Sequence, residues 1–541
     1  MKRHSSHAHV AAQAALFTLA LLACGADVDV RGGGGTGGIA GSGGTGGMAC
    51  TPNTSEPCYT GPSGTEEVGS CSAGARTCLE DGSGYGECAG EVLPASETCN
   101  TPEDDDCDGE TNEEGAGCPW SKRFGDDAGQ FVQSITTDAA GNVLVTGYFE
   151  GTLDFGGSPL NYHAGGHDGF VAKLDPAGNH LWSKGFGGAG PQSGLGVATD
   201  AAGNVVLTGH FEGTVDFGGA GLTSAGGGDV FVAKLAPDGN HLWSKRFGEV
   251  SDQYGVGVAT DAAGNVLVTG NYSGTVDFGG GPLSANYGSF VAKLDPAGNH
   301  QWSKSLDGTN VQYGYRSVAT DAAGNVVLTG DFLFTVDFGG GPLASVGGRA
   351  VFAAKLDPAG NHLWSKRFGG VSEAYGLGVT TDATGNVVLT GSFQDTVDFG
   401  GGPLTSVGSY AAFVAKLDPA GNHLWSQRSF GDANNHASDV ATDAAGNVLV
   451  TGMFRETVDF GGGPLTSPGG HDVFVAKLDP AGNHLWSKGF GDEGTQYGIG
   501  VTTDAAGNVL VTGWVQGTLD FGGGPLTSAG SYDVFVAKLA P

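Results

Sequence analysis

The chain has 541 residues, of which 103 are glycine and 21 are proline. No Gly-X-Y period runs through it, which excludes a collagen-like triple helix, and the 39% hydrophobic share is enough for a folded core. The formal net charge is −33. Because nucleic acids and anionic membrane surfaces repel an acidic protein, we expect no nucleic-acid partner.

Residues 1–24 are predicted to be an export signal. Basic residues precede a short apolar run over residues 10–23, which falls short of the roughly 20 residues that a membrane-spanning helix needs. The run ends in LLAC and resembles the lipobox of bacterial lipoproteins. The resemblance implies cleavage before Cys24, lipid attachment to that cysteine and, because Gly25 follows it, location at the outer membrane or cell surface. The alternative is an ordinary secretory signal with a chance cysteine.

Residues 25–49 are predicted to be a flexible tether, since most of the segment is glycine with few side chains to pack. We therefore expect contact with the membrane only through the N-terminal lipid.

Residues 50–118 are predicted to form a small disulfide-rich module. An even number of cysteines behind an export signal is typical of a disulfide framework, although the sequence leaves the pairing open. Thiolate zinc binding is disfavoured because the Cys-x2–4-Cys pairs of zinc sites are missing. The cysteines are Cys50, Cys58, Cys71, Cys78, Cys88, Cys99, Cys107 and Cys118.

The same module holds 16 acidic residues against one basic residue, Arg76. Its densest run reads Asp-x-Asp-x-Asp-Gly, a pattern of alternating carboxylates that can wrap a hard cation such as Ca²⁺. An EF-hand is excluded because Gly115 stands where the twelfth-position Glu is needed. The alternative is a solvated acidic hairpin tied by a Cys99–Cys107 bridge. The predicted calcium ligands are Asp104, Asp106, Asp108, Asn112 and Glu113.

The pieces CYTGPSGTEEVGSC, GARTC, DGSGYGEC, LPASETCN and DDDCDGETNEE resemble a recurrent Cys-rich module of bacterial surface proteins. The resemblance implies a metal-binding role for this segment. Asn112 departs from the family pattern, which often has Asp at that position.

Residues 119–541 repeat seven times with a spacing of about 60 residues, which is the size of a propeller blade. Each repeat carries a WS[KQ] motif, a TDA[AT]GNV motif and a DFGG motif in fixed order. The tryptophans that open the WS[KQ] motifs are Trp120, Trp182, Trp243, Trp302, Trp364, Trp425 and Trp486.

Each repeat is predicted to hold four strands, because apolar and polar residues alternate with a period of two and turn residues separate the runs. In the third repeat the predicted strands are 255–261, 265–272, 290–295 and 300–306. Seven such repeats predict an all-β fold, a seven-bladed β-propeller with four-stranded blades.

The two ends of the repeat region predict how the ring closes. Residues 119–125 contain a WSK strand without its partner, whereas residues 535–541 contain the partner without a WSK strand. We expect 119–125 to supply the outermost strand of the last blade. The motif tryptophans should then fill space between blades, while the recurrent Asp residues cap turns and the recurrent Gly-Asn-His histidines are structural.

The pattern FGG-x-G-x-Q-Y-G-x-GVATDAAGNVLVTG-x-F resembles the SBBP family of bacterial β-propeller repeats over all seven repeats. The resemblance implies a propeller and a location at the bacterial surface. It implies no particular activity, since the family has no common one.

The loops before the GVATD strands are predicted to ring the mouth of the central channel. Amides beside aromatic rings there can bind a carbohydrate or a peptide loop, and the alternative is packing between blades. The candidate ligand-binding residues are Gln130, Phe131, Gln253, Tyr254, Gln312, Tyr313, Tyr375, His436, Gln496 and Tyr497.

No catalytic motif is present in the sequence. We therefore expect a monomeric binding platform for protein or polysaccharide, with Ca²⁺ in the Cys-rich module and no other cofactor. The alternative is a propeller hydrolase or lyase, in which His436 would be the first residue to test because it departs from the repeat.

Overall fold

The structure is a computed structural model that describes residues 50–95, 104–105, 107, 118–163, 165–306, 317–431 and 434–541. Every regular element among these residues is a β-strand, which confirms the all-β prediction. The chain divides into two compact units. The smaller contains residues 50–57 and 75–89, and the larger contains the other described residues, including the propeller.

The smaller unit is held by a short sheet and a disulfide. Strand Ser55–Cys58 pairs with strand Gly74–Thr77. Cys50 is bonded to Cys78 with a Cα–Cα distance of 5.9 Å. Arg76 and Glu56 form an ion pair across the surface of this sheet.

A second disulfide joins Cys71 to Cys107 in the larger unit, with a Cα–Cα distance of 6.0 Å. The Cys99–Cys107 bridge considered from the sequence is therefore wrong, because Cys107 is already bonded to a cysteine 36 residues away. Cys58, Cys88 and Cys118 are also disulfide-bonded. The predicted disulfide framework is confirmed.

Seven four-stranded antiparallel sheets form the blades of the propeller, which confirms the predicted fold class. We number the blades 1 to 7 along the chain and the strands of each blade from the inside outwards. The first strands are Gln130–Thr137, Gln192–Thr199, Gln253–Thr260, Ser317–Thr320, Ala374–Thr381, His436–Thr442 and Thr495–Thr503. The second strands are Val143–Phe149, Val205–Phe211, Val266–Val276, Val326–Phe332, Val387–Phe393, Val448–Phe454 and Val509–Gln516.

The third and fourth strands complete each blade. The third strands are Asp168–Leu174, Asp229–Leu235, Leu283–Leu294, Ala350–Leu356, Ala411–Leu417, Asp472–Leu478 and Asp533–Leu539. The fourth strands are His180–Phe186, His241–Phe247, His300–Leu306, His362–Phe368, His423–Arg428, His484–Phe490 and Trp120–Phe124.

A separate two-stranded hairpin joins the second and third strands in six blades. In blade 3 the second and third strands are longer and themselves form this hairpin. The hairpins are Thr152–Leu153 with Leu160–Asn161, Thr214–Val215 with Leu222–Thr223, Thr335–Val336 with Leu343–Ala344, Thr396–Asp398 with Pro403–Thr405, Thr457–Val458 with Leu465–Thr466 and Thr518–Asp520 with Pro525–Thr527.

The core lies between blades, because each blade is covered on both faces. The third strand Asp229–Leu235 is buried at all seven positions, and apolar clusters contain side chains from adjacent blades, such as Val171 with Phe217. A strand buried on both faces needs a continuous apolar run instead of alternation, which the VFVAKL segments provide.

The ring closes as predicted. Strand Trp120–Phe124 pairs antiparallel with Asp533–Leu539, with Trp120 opposite Lys538 and Phe124 opposite Val534. The last blade is therefore completed by the strand that comes first in the repeat region, which removes two exposed strand edges.

The motif tryptophans lie on fourth strands and contact the next blade, as expected. Trp182 Nε1 donates to the carbonyl of Pro237 at 2.9 Å. The motif histidines contact residues of their own strand. The Nε2 atom of His180, for example, is 3.0 Å from Ser183 Oγ. The Asp of the TDAAGN turn accepts backbone N–H groups, as Asp261 Oδ1 does from Ala263 and Asn265, both at 3.0 Å.

No helix in the described part of the chain is long and apolar enough to cross a membrane.

Candidate functional site

One end of every blade gathers the start of the first strand, the end of the second and the start of the third. The register shows this in blade 1, where Phe131 is opposite Tyr148 and Tyr148 is opposite Gly169. First strands of adjacent blades also contact each other around the ring, so they are innermost as predicted. We call this end of the propeller the variable face, because its residues differ between repeats.

The opposite end of the ring is uniform. Thr199 Oγ1 donates to the carbonyl of Thr137 at 3.0 Å, and Thr137 Oγ1 donates to the carbonyl of Thr503 at 2.9 Å. The same contact links Thr260, Thr320, Thr381 and Thr442 each to the blade before it. These bonds fix neighbouring first strands to one another, so this end is structural.

Three positions per blade form the variable face, and the first-strand position of blade 4 lies outside the described residues. On the first strands they are Phe131, Ser193, Tyr254, Tyr375, His436 and Tyr497. On the second strands they are Tyr148, His210, Asn271, Asp331, Ser392, Met453 and Trp514. The third position directly precedes the third strand, except in blade 3, where it lies within the longer strand; its residues are His167, Gly228, Tyr287, Arg349, Tyr410, His471 and Tyr532.

Of the four glutamines predicted as ligand-binding residues, the three that the structure describes are fully buried. Gln253 is 0% exposed, its Oε1 accepts from the N–H of Glu249 at 3.1 Å, and its Nε2 donates to the carbonyl of Ser273 at 3.0 Å. Gln130 and Gln496 are likewise 0% exposed. These amides hold the loops beneath the variable face and do not reach its surface.

The aromatic candidates lie at the surface of the variable face. Phe131, Tyr254, Tyr375, His436 and Tyr497 are all partly exposed. The remaining two candidates, Gln312 and Tyr313, lie outside the described residues.

Seven rings from blades 6, 7 and 1 form one continuous row, which we call the aromatic arc. In order they are His471, Tyr497, Trp514, Tyr532, Phe131, Tyr148 and His167. The ring centroids of Tyr497 and Trp514 are 4.1 Å apart, those of Trp514 and Phe131 are 5.4 Å apart, and those of Phe131 and Tyr148 are 5.1 Å apart. Such stacked, tilted and edge contacts are favourable, so the arc is a preformed surface.

The arc contains no lysine, arginine, aspartate or glutamate, and its ring edges are polar. Burial lowers the pKa of His167, whose Nε2 is 2.7 Å from Ser193 Oγ. Burial raises the pKa of Tyr497, and the nearby hydroxyl of Tyr532 raises it further. The indole nitrogen of Trp514 is buried and has no hydrogen-bond partner.

A smaller aromatic cluster lies across blades 5 and 6. The ring of Tyr410 is 6.0 Å from Tyr375 and 5.1 Å from His436. His436 Nδ1 is 2.8 Å from Ser392 Oγ. Burial lowers the pKa of His436 to about 4, so the imidazole is neutral at physiological pH.

Charged side chains lie on the variable face in blades 4 and 5. Arg349 Nη1 is 2.7 Å from Asp331 Oδ2, and Arg349 Nε is 3.6 Å from Glu373. Burial raises the pKa of Asp331 to about 7, against the opposing effect of Arg349. The hydroxyl of Tyr375 donates to Glu373 at 3.2 Å.

One carboxylate lies on the inner wall of the ring, which the first strands form. Asp439 stands where the other first strands have glycine or serine, and its Oδ2 accepts the N–H of Val501 in blade 7 at 3.0 Å. Ser317 Oγ makes the equivalent contact with Val379 at 2.7 Å. Burial raises the pKa of Asp439 to about 6.

The predicted calcium ligands are mostly outside the described residues, which include only Asp104 of the five. Asp104 is 5% exposed, and its carbonyl accepts the N–H of Ser70 at 2.8 Å. Within the described ranges no three His, Cys, Asp or Glu side chains are grouped as a metal site. The DFGG aspartates cap turns, as Asp216 Oδ1 does by accepting from Gly218 at 2.8 Å.

The second-strand positions of the variable face were not predicted from the sequence. Their signal is a variable residue between an invariant Thr-Gly and, in most repeats, Phe, as in TGYF and TGHF. In an otherwise uniform strand, that single variable position indicates a residue that packing does not determine. Trp514 and Tyr148 both occupy it.

No family model matches the chain, so the similarity to SBBP repeats stays a prediction. The chain is 26% identical over 191 residues to an uncharacterised WD repeat-containing protein of Acanthamoeba polyphaga mimivirus, a match covering 29% of this chain and 14% of that protein. It is 27% identical over 195 residues to the regulatory protein FlaEY of Caulobacter vibrioides, covering 34% of this chain and 20% of that protein. The matches thus span a fifth or less of these relatives.

Among solved structures, the chain is similar to hydrazine synthase of Kuenenia stuttgartiensis, with a TM-score of 0.39 and 11% identity over 70% of this chain and 91% of that chain. The chain is a seven-bladed β-propeller, and one of the proteins it is similar to is a WD repeat-containing protein.

Proposed function

We propose that this chain is a surface-anchored, non-catalytic binding protein whose aromatic arc holds a protein or polysaccharide ligand. The observation that carries the proposal is the arc itself, a row of seven touching rings across three blades. Aromatic side chains with a polar edge are enriched where proteins bind partners, because they supply a large apolar contact and still form hydrogen bonds.

The composition of the arc indicates the chemical class of its ligand. Its seven members include no lysine, arginine, aspartate or glutamate, and the lowered pKa of His167 and His471 favours their neutral forms. A neutral sugar polymer or an uncharged peptide segment matches this surface better than an anionic ligand. Because the rings pack against one another before any ligand arrives, little side-chain freedom is lost on binding.

Binding to glycan and peptide arrays tests the proposal with the full chain and two matched variants. We expect Trp514→Ala to weaken binding by about tenfold or more, as for a central aromatic anchor. Trp302→Ala removes a tryptophan from an outer strand and serves as the control. Equal binding by Trp514→Ala and the unmodified chain would contradict the proposal.

The array also tests the alternative of a propeller hydrolase or lyase. Turnover of a bound ligand that disappears in His436→Ala would favour the enzyme. A packing role is favoured by the neutral imidazole of His436 and its contacts with Tyr410 and Ser392.

Anchoring through Cys24 is the second part of the proposal, and it rests on the lipobox-like sequence outside the described residues. It predicts that labelled fatty acid is incorporated into the exported chain and that Cys24→Ser abolishes incorporation. An anchored propeller would be held at the cell surface.

Calcium binding in the Cys-rich module is the third part, with ligands from Asp104, Asp106, Asp108, Asn112 and Glu113. It predicts a calorimetric Ca²⁺ signal in the full chain that Asp106→Asn combined with Asp108→Asn removes. A signal unchanged by this double substitution would contradict the assignment to these residues.

A further inference from the structure

Several neighbouring rings of the aromatic arc are close to parallel. Tyr497 lies at 26° to His471 and at 33° to Trp514, with ring centroids 5.4 and 4.1 Å away. Tyr148 lies at 29° to Phe131, and their centroids are 5.1 Å apart. The faces of these rings are therefore covered by their neighbours, and the rings present edges and hydroxyl groups to a ligand.

This packing bears on the chemistry of the ligand. A sugar ring binds an aromatic side chain by stacking on a free face, which a ring packed between two others, such as Tyr497, does not offer. Ring edges carry partial positive charge, so together with tyrosine hydroxyls they suit acceptor groups. An extended polypeptide exposes backbone carbonyl acceptors along its length. The arc therefore favours a polypeptide over a polysaccharide.

Three exposed carboxylates border the arc, and we call them the acidic flank. They are Asp127, Glu150 and Glu493. None of them forms an ion pair within the described part of the chain. Their charges are therefore available to a ligand that lies on the arc.

Backbone contacts place two members of the flank beside the arc. A Cβ atom built on Gly530 would lie 2.7 Å from the carbonyl oxygen of Asp127, and Gly530 is two residues before Tyr532 of the arc. Glu493 packs in the same way against Gly469, in the loop before the third strand of blade 6. Both carboxylates thus belong to loops that contact a loop leading into the arc.

Glu150 lies at the blade 1 end of the arc. It directly follows the second strand, and its N–H donates to the carbonyl of Gly129 at 2.9 Å. Its charge acts on His167, where it opposes the lowering of the pKa by burial. At the blade 6 end the nearby charge is Arg455, which lowers the pKa of His471 further. The arc is therefore bordered by negative charge from blade 7 to blade 1 and by a positive charge in blade 6.

The loop position of Asp127 and Glu493 is apolar in two blades outside the arc. Val250 in blade 3 and Val371 in blade 5 occupy it, three residues before the first buried residue of the first strand, and they are 76% and 70% exposed. The fold therefore accepts an apolar residue at this position, so the turn itself does not need a carboxylate. The acidic residues coincide with the aromatic ones.

We propose that the aromatic arc and the acidic flank dock an extended polypeptide segment in which lysine or arginine accompanies apolar residues. The inference rests on the proposed function and narrows its ligand from protein or polysaccharide to a basic polypeptide. Apolar and backbone groups of the segment contact the ring edges, while its cations pair with Asp127, Glu150 and Glu493. The net charge of −33 attracts such a segment before contact.

Titration of the full chain with a peptide series, followed by intrinsic fluorescence, tests the proposal. The probes are four repeats of Pro-Lys-Leu, of Pro-Gln-Leu and of Pro-Glu-Leu. The lysine peptide should bind about tenfold more tightly than the glutamine peptide, and the glutamate peptide should bind most weakly. Raising the salt from about 50 to about 500 mM should reduce the preference for lysine, because salt screens exposed charges. A lysine peptide that binds no better than the glutamate peptide would overturn the proposal.

Charge removal tests the assignment of the flank. Asp127→Asn, Glu150→Gln and Glu493→Gln together should weaken binding of the lysine peptide by about tenfold, since each exposed pair contributes about two- to threefold. Binding of the glutamine peptide should stay unchanged, which also shows that the variant is folded. Glu249→Gln, from the loop before blade 3, is the matched control for Glu150→Gln. An equal loss in these two single variants would overturn the proposal.

A neutral glucan oligomer in the same titration separates this inference from the proposed function. Glucan binding that Trp514→Ala abolishes, without binding of any peptide, would overturn the basic polypeptide and leave the arc as a binding surface. Binding of the lysine peptide that Trp514→Ala leaves unchanged would overturn both, because the ligand would then lie elsewhere.

Discussion

Lys173 Nζ lies 2.8 Å from Asp138 Oδ2, and the two side chains are 5% and 6% exposed. The lysine also donates to the carbonyl of Pro237 in the next blade at 3.1 Å. Each blade contains this buried ion pair, which joins the turn between its first two strands to its third strand. In most blades the same lysine also donates a hydrogen bond to a carbonyl of the neighbouring blade. The other six pairs are Lys234–Asp200, Lys293–Asp261, Lys355–Asp321, Lys416–Asp382, Lys477–Asp443 and Lys538–Asp504.

Breaking one of these pairs should be strongly destabilising. Lys293→Met leaves Asp261 buried without its cation, and we expect a loss of about 3–5 kcal/mol in the free energy of unfolding. Adding Asp261→Asn should recover part of the loss, because Asn is uncharged. Urea unfolding of the two variants measures both, and equal stability of the single and double variants would contradict this reasoning.

The carboxylate of Asp439 should increase the stability of the folded chain as the pH falls, whereas the buried ion pairs should lose their contribution to stability. The pKa of Asp439 is about 6 in the folded chain, against an ordinary value of 3.8. Between these values the folded state holds a proton that the unfolded state releases, so this group's contribution to stability rises as the pH falls from 7 to 5. Asp439→Asn keeps an acceptor for Val501 and should lack this contribution. Tm measured at both pH values should show a smaller acid-induced gain in Asp439→Asn than in the unmodified chain.

At lower pH the buried Lys–Asp ion pairs should dominate the pH dependence of stability. Burial tends to raise the pKa of Asp138, but hydrogen bonds from Asn142 and Lys173 outweigh it and the pKa is lowered. A lowered carboxylate pKa gives stability that is present above the unfolded value of 3.8 and is lost as the pH falls further. We expect cooperative acid unfolding to begin below about pH 4, and circular dichroism measures it. A propeller that stays folded well below this pH would contradict the importance of the pairs.

Closure of the ring predicts different effects for two matched arginines. Arg123 and Arg246 form the same contact with a buried aspartate, but Arg123 lies on the closing strand, which pairs with Asp533–Leu539 without a neighbouring hairpin. Arg123→Leu should therefore lower Tm more than Arg246→Leu. Deletion of residues 119–125 should lower Tm or solubility sharply. An unchanged melt after that deletion would contradict the closure.

Trp514 offers a direct signal for ligand binding. Of the eight tryptophans in the chain, the other seven begin the WS[KQ] motifs on the fourth strands. A ligand on the aromatic arc should change the fluorescence of the unmodified chain, and Trp514→Phe should remove the change while keeping the ring. An equal change in the variant would place the ligand elsewhere.

The sequence was sufficient for the fold because each structural signal occurs seven times. Turn capping by Asp261, the outer-strand position of Trp243 and closure by Trp120 all follow from the repeat alone. The repeat pattern does not predict the buried ion pair, because it identifies Asp261 only as a turn residue and gives no partner for Lys293. Only the three-dimensional pairing shows that one side chain neutralises the other.

The aromatic residues predicted to lie in loops before the GVATD strands, such as Phe131 and Tyr497, lie on the first strands at the variable face, whereas Gln253 and Gln130 are buried. Ligand binding by these aromatic residues stays a prediction. The recurrence of glutamine in five repeats was itself a structural signal. Trp514 and Tyr148 come from a different strand, and only the folded blade brings them beside Phe131.

The closing strand has a consequence for the order of folding. Arg123 and its partner Asp533 are separated by 410 residues, so the closing strand cannot pair until the far end of the repeat region is also available. Six blades can form in succession from nearby segments, but the seventh must wait for the whole repeat region, and such distant pairings form slowly. Until then, the first and last blades each expose an open flank, which makes the nearly complete ring the species most exposed to aggregation.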